Sequence, residues 1–155
     1  GRLYDIGYLP HGEGQKTRPY LATPSNETSA VISPDGRVVA YTSDASGRQE
    51  IYVDTFPEPT AARRVSTDGA TGASWRADGR EIYFTSGRTL YACDVKTQPA
   101  IEVGKPRVLF ELPKEIRGVA SAPDGDKFLL LLPVGENTSS LTVVHNWAAP
   151  LEKHE

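Results

Sequence analysis

Apolar residues in this chain fall into short runs of β-branched, aromatic and aliphatic side chains, each ended by a cluster of Gly, Pro, Asp or Ser. That rhythm predicts strands joined by tight turns rather than helices. Three of the runs, residues 38–43, 81–86 and 127–132, follow directly on the same turn: Ser33-Pro34-Asp35-Gly36-Arg37, Arg76-Ala77-Asp78-Gly79-Arg80 and Ala122-Pro123-Asp124-Gly125-Asp126. The three aspartates stand about 43 and 46 residues apart, near the roughly 40 to 50 residues of a four-stranded propeller blade. The chain is a repeat protein.

The turn recurs for a physical reason. Pro presets φ, Asp bonds back to its own backbone, and Gly accepts the positive φ of a tight hairpin. Upstream of each turn lies a short strand poor in bulk, at residues 29–32, 72–75 and 118–121, as suits the crowded innermost strand beside a propeller channel. Downstream, a second hairpin leads to third strands at 50–54 and 89–94, and Pro-containing links lead to outer strands at 63–66 and 107–110.

Residues 3–9 and 18–21 read as a third and an outer strand without the first two. The last repeat has inner and second strands and a third at 141–144. The expected fold is all-β, a partial β-propeller with two full four-stranded antiparallel blades and two incomplete ones. The expected boundaries are the end of a first blade at 1–28, blades at 29–69 and 70–114, a last incomplete blade at 115–149 and a tail at 150–155.

Composition narrows the functional classes. A net charge of −3 argues against a nucleic-acid surface, which carries a basic excess. No segment reaches the roughly 20 apolar residues of a membrane-spanning helix. The single cysteine, Cys93, falls in a strand pattern, excludes an internal disulfide and reads as a small buried apolar residue. No cofactor or metal is expected, since His11, His145 and His154 share no metal-ligand spacing.

Residues 32–43 and 46–53 resemble the WD-like repeat of TolB-type β-propellers. Phe56-Pro57-Glu58-Pro59, residues 65–70, residues 104–110 and residues 141–147 are similar to the C-terminal propeller of large bacterial serine/threonine protein kinases. The resemblance covers nearly the whole chain. It implies a non-catalytic sensor or scaffold domain with an extracytoplasmic setting. None of the kinase catalytic elements is present.

The aspartates of the three turns read as hairpin caps rather than a carboxylate ring, and should gather on one rim. No Gly-x-Ser-x-Gly elbow occurs, and a hydrolase triad would have to enlist His145 with Cys93 or a serine. The expected function is therefore an interaction or sensor module that binds a protein or small ligand at a rim or channel mouth. The candidate binding residues are Asp35, Arg37, Trp75, Asp78, Arg80 and Asp124. The alternative is a hydrolase of esterase, glycosidase or lactonase type on the same scaffold. The incomplete terminal blades leave open edges that need covering. Tyr8, Tyr20, Leu21, Val143, Val144 and Trp147 are the expected edge residues of a homodimer that closes a ring of about six blades.

Overall fold

The computed structural model describes residues 4–133 and the backbone of Val144–His145. The repeated turn sets its local geometry in the same way three times. Gly36, Gly79 and Gly125 take φ values of +72°, +71° and +76°, the region where a side chain is disfavoured. Their N–H groups donate back to the carbonyls of Ser33, Arg76 and Ala122, each at 2.9 Å. The N–H groups of those three residues then bond the carbonyls of Val38, Glu81 and Lys127, locking each turn to the strand that follows.

Among the described residues the fold is all-β and every strand pairing is antiparallel. A two-stranded sheet pairs β1 (Ile6–Tyr8) with β2 (Arg18–Leu21). A four-stranded sheet follows in chain order: β3 (Glu27–Ile32), β4 (Val38–Ser43), β5 (Glu50–Thr55) and β6 (Arg63–Arg64). The next comprises β7 (Thr71–Trp75), β8 (Glu81–Ser86), β9 (Thr89–Lys96), β10 (Glu102–Val103) and β11 (Arg107–Glu111). The last joins β12 (Gly118–Ser121), β13 (Lys127–Leu131) and β14 (Val144–His145). Among the described residues this is a partial propeller, with two full blades between a two-stranded and a three-stranded sheet.

Two details depart from the strand boundaries expected from sequence. The outer position of the second full blade is filled twice, because β10 pairs with residues 95–96 of β9 and β11 with residues 89–92. Gly104 and Pro106 break what would be one strand: the Gly104 N–H bonds Asp94 O at 2.8 Å, and Pro106 has no N–H to offer. The outer strand of the first full blade is shorter than residues 63–66, since the Val65 N–H turns to Ile51 O beyond the end of β6. Of the anticipated third strand at 141–144, Val144 lies in β14, and residues 141–143 are outside the described residues.

The inner strands of the two full blades share a bulge. Pairing slips between Thr28 and Val31 in β3 and between Thr71 and Ser74 in β7, and a left-handed residue sits at the same offset in each, Ser29 with φ +54° and Gly72 with φ +67°. One extra residue there increases the local twist.

Strand alternation sends side chains to two faces, so each sheet builds half of two joints. Val39 and Tyr41 of β4 pack with Tyr20 toward β1–β2. Val38 and Ala40, on the opposite face, pack with Ile82, Phe84 and Cys93 of the next blade. Tyr83 and Leu90 then pack with Phe128 and Leu130 of β13.

Candidate functional site

The three turns meet on one rim. The Ala77 N–H donates to Pro123 O at 3.1 Å, and a Cβ at Gly79 would lie 3.6 Å from the ring of Pro34. The carboxylates on this rim are committed to the backbone. Asp35 Oδ1 accepts from the Ser33 hydroxyl at 2.6 Å and the Arg37 N–H at 3.1 Å. Asp78 Oδ1 accepts from the Arg80 N–H and Asp124 Oδ1 from the Asp126 N–H, both at 3.0 Å. Asp35 Oδ2 also takes the Thr97 hydroxyl at 2.9 Å, a bond between blades. The Ser33 hydroxyl, aided by Thr97 and the Arg37 N–H, holds the Asp35 carboxyl below its usual value. These aspartates cap hairpins, and the guanidiniums of Arg37 and Arg80 are the exposed charges beside them.

Trp75 is half-buried and packs into the joint between the two full blades, with its indole N–H donating to Val31 O at 3.2 Å. It therefore ties one inner strand to the next. Tyr8, Tyr20 and Leu21 fasten β1–β2 to the first full blade. The Tyr20 hydroxyl donates to Thr55 O at 2.7 Å, and Phe56 receives Tyr8 edge-on at 5.2 Å between ring centres. Val144 pairs with Phe128; Val143 and Trp147 lie outside the described residues.

Buried carboxylates at strand starts are the polar feature that sequence reasoning missed. Glu50, fully buried at the start of β5, accepts from Arg48 Nε at 2.8 Å, the Gly69 N–H at 3.0 Å and the Ser66 hydroxyl. Glu81, at the start of β8, accepts from Arg107, from the Tyr83 hydroxyl at 3.0 Å and from Arg76 at 3.3 Å. Burial alone would raise both carboxyls. For Glu50 the bonds from Ser66, Gly69 and Arg48 outweigh it, for Glu81 those from Arg107, Tyr83 and Arg76, and both lie below the ordinary range. A glutamate next to a turn looks like a solvated turn residue in sequence, so the available signal was only its recurrence at the first position of a strand.

Two surfaces offer chemistry to a partner. Cys93 offers none: burial, with Asp94 adding to it, pushes its thiol up to about 11, so it stays protonated at neutral pH. The first surface is the rim with its two arginines. The second is the outer face of β13, where Phe128 and Leu130 point into the joint and Leu129 and Leu131 stand 56% and 65% exposed. A strand that is apolar on both faces is built for an interior position. Among the described residues, no group of three or more His, Cys, Asp or Glu side chains is placed to hold a metal ion.

No protein-family model matches the chain, and no curated protein matches it. Solved structures with a similar fold include an oligogalacturonate lyase from Vibrio parahaemolyticus, at TM-score 0.58 and 14% identity over 84% of this chain and 37% of that one. A putative 6-phosphogluconolactonase from Bacteroides uniformis is similar at TM-score 0.58 and 14% identity, over 91% of this chain and 47% of the other. TolB from Acinetobacter baumannii is similar at TM-score 0.52 and 16% identity, over 81% and 34%. The chain thus spans between a third and a half of the length of these propellers, and shares their fold.

Proposed function

We propose that this chain is a non-catalytic propeller module that works through its surfaces, and that a second copy covers its bare blade faces to make a ring of about six blades. One observation carries the reading: β13 exposes Leu129 and Leu131 on the face turned away from its own neighbour. Apolar surface of that kind on a regular strand marks an interaction site. The same resemblance that led to TolB-type repeats supports a sensor or scaffold role at the end of a larger regulator, with Arg37 and Arg80 as the rim's recognition charges. Enzymes and a non-enzyme share this fold, so the fold alone does not choose between them.

Sedimentation velocity across a dilution series is the test. The reading predicts a concentration-dependent dimer for the unaltered chain and a folded monomer for the Leu129→Glu/Leu131→Glu variant. Identical sedimentation of the two overturns it. Turnover of an ester, glycoside or lactone substrate that disappears in His145→Ala would instead establish the hydrolase alternative.

A further inference from the structure

A cavity of about 330 Å³ lies in the joint between β7–β11 and β12–β14, walled by residues of both inner strands. That volume is within the range of small-ligand sites, roughly 300 to 1,000 Å³. The buried rings of Tyr83 and Phe128 close its base, so the surface a ligand can touch belongs to the less buried lining residues. Ile116 and Val119 are half-buried and apolar, Ser74 and Ser121 are half-buried and polar, and Arg117 is exposed. Nothing lies within 4 Å of a Cβ built on Gly72, so the β7 wall leaves the space open.

The equivalent place in the neighbouring joint shows what kind of group fits there. Counted from the turn aspartates, Ser121 stands where Trp75 stands, and Ser74 where Val31 stands. Trp75 reaches back across its joint, packs against the core and donates its indole N–H to Val31 O at 3.2 Å. A serine supplies neither the ring nor the donor, and in the second joint the volume stays empty of side chains. The charge at this cavity has one sign. Arg117 alone among the lining residues is charged, and its guanidinium is paired with no carboxylate among the described residues. The Arg117 N–H bonds Leu131 O and so extends the pairing of β12 with β13, and strand alternation puts residue 117 on the face of Val119 and Ser121.

We propose that this cavity binds an indole carboxylate, with the ring against Ile116 and Val119, the ring N–H on the Ser74 carbonyl and the carboxylate on Arg117. The chemistry matches at each point. Apolar ring surface leaves water, and the guanidinium presents a fork of donors suited to a carboxylate. A carbonyl oxygen has two lone pairs, so Ser74 can serve its strand and the ligand together. An aromatic amine would meet Arg117 as a like charge, and a short aliphatic acid would leave the ring space empty.

The test is calorimetric titration of the intact chain with indole-3-propionate at neutral pH and low salt. Saturable binding is expected, with the neutral indole-3-propionamide weaker by about five- to tenfold and propionate not bound. Arg117→Gln, a substitution at an exposed residue, should bring the acid down to the affinity of the amide and leave the amide unchanged. Ser121→Trp sets an indole in place from within the chain; it should abolish binding of both and raise the urea midpoint. Absence of saturable binding at millimolar indole-3-propionate overturns the proposal, as does a loss under about twofold in Arg117→Gln. Undiminished binding in a folded Ser121→Trp chain overturns it equally, and if that variant does not fold, Arg117→Gln decides alone. The outcome is independent of assembly, because a monomeric chain in sedimentation leaves this cavity intact.

Discussion

The joint between the two full blades and the joint between β7–β11 and β12–β14 occupy equivalent places in the repeat but are filled differently. The first is mainly aliphatic around one large aromatic, with Val38, Ala40, Ile51 and Val53 against Ile82, Phe84, Cys93 and Val95 and with Trp75 packed against them. The second is aromatic, with Phe128 edge-on to both Tyr83 and Phe110 at 5.1 and 5.4 Å, and it retains a cavity of about 330 Å³ beside Gly72, Ser74, Gly118 and Ser121. One position explains much of the contrast. The residue three places before the turn aspartate is Trp75 in the second full blade and Ser121 in the last. Trp75 fills the first joint and bonds Val31 O, whereas Ser121 borders the cavity in the second. Small inner-strand residues leave space unless one large side chain reaches across.

The largest effect on this contrast should come from Trp75→Ser, which gives the first joint the character of the second. Large-to-small changes at packed aromatics cost about 3 to 5 kcal/mol, and the half-buried Trp75 belongs near the lower end of that range. Urea unfolding measures it, and a loss under about 1 kcal/mol would mean that Trp75 does not seal the joint.

Gly125→Ala should come next. Its Cβ would collide with the Tyr83 hydroxyl across the second joint, and its φ is +76°. Gly36→Ala shares the strained φ but meets open space. The expected costs are about 1 kcal/mol for Gly36→Ala and at least twice that for Gly125→Ala, and the difference reports how tightly the last blade is docked.

The smallest effect is on pH dependence. The Glu81 carboxyl, beside Tyr83 at the same joint, lies below its ordinary value of about 4.3 in the folded chain. The folded state then binds fewer protons than the unfolded one. The stability Glu81 contributes is complete above about pH 5 and is lost as pH falls through the folded value. Melting temperature should therefore be flat toward neutrality and drop below about pH 4, and Glu81→Gln should make that drop shallower.

The turns and blades were legible because Asp-Gly recurs before each apolar run, preceded by Pro in two of the three turns, and the structure realises the Gly as a positive φ and the Asp as a hydrogen bond to the backbone. The function of the rim was less legible. Asp35, Asp78 and Asp124 were recognisable as caps, yet the bond from Thr97 to Asp35 joins residues 62 apart in sequence and has no local signature. The double outer strand was hidden because Gly104 and Pro106 reduce its apolar pattern to fragments. The cavity beside Arg117 was invisible for a similar reason. Alternation tells which face a residue shares, but not which joint will be left unfilled.

Both joints sit inside one chain, and a third face, carrying Leu129 and Leu131, has no neighbour among the described residues. Light scattering on the purified chain at micromolar concentration tests most directly whether a second copy covers it. A mass of twice the 16.8 kDa chain is the predicted result, and a soluble, well-folded monomer would contradict the account.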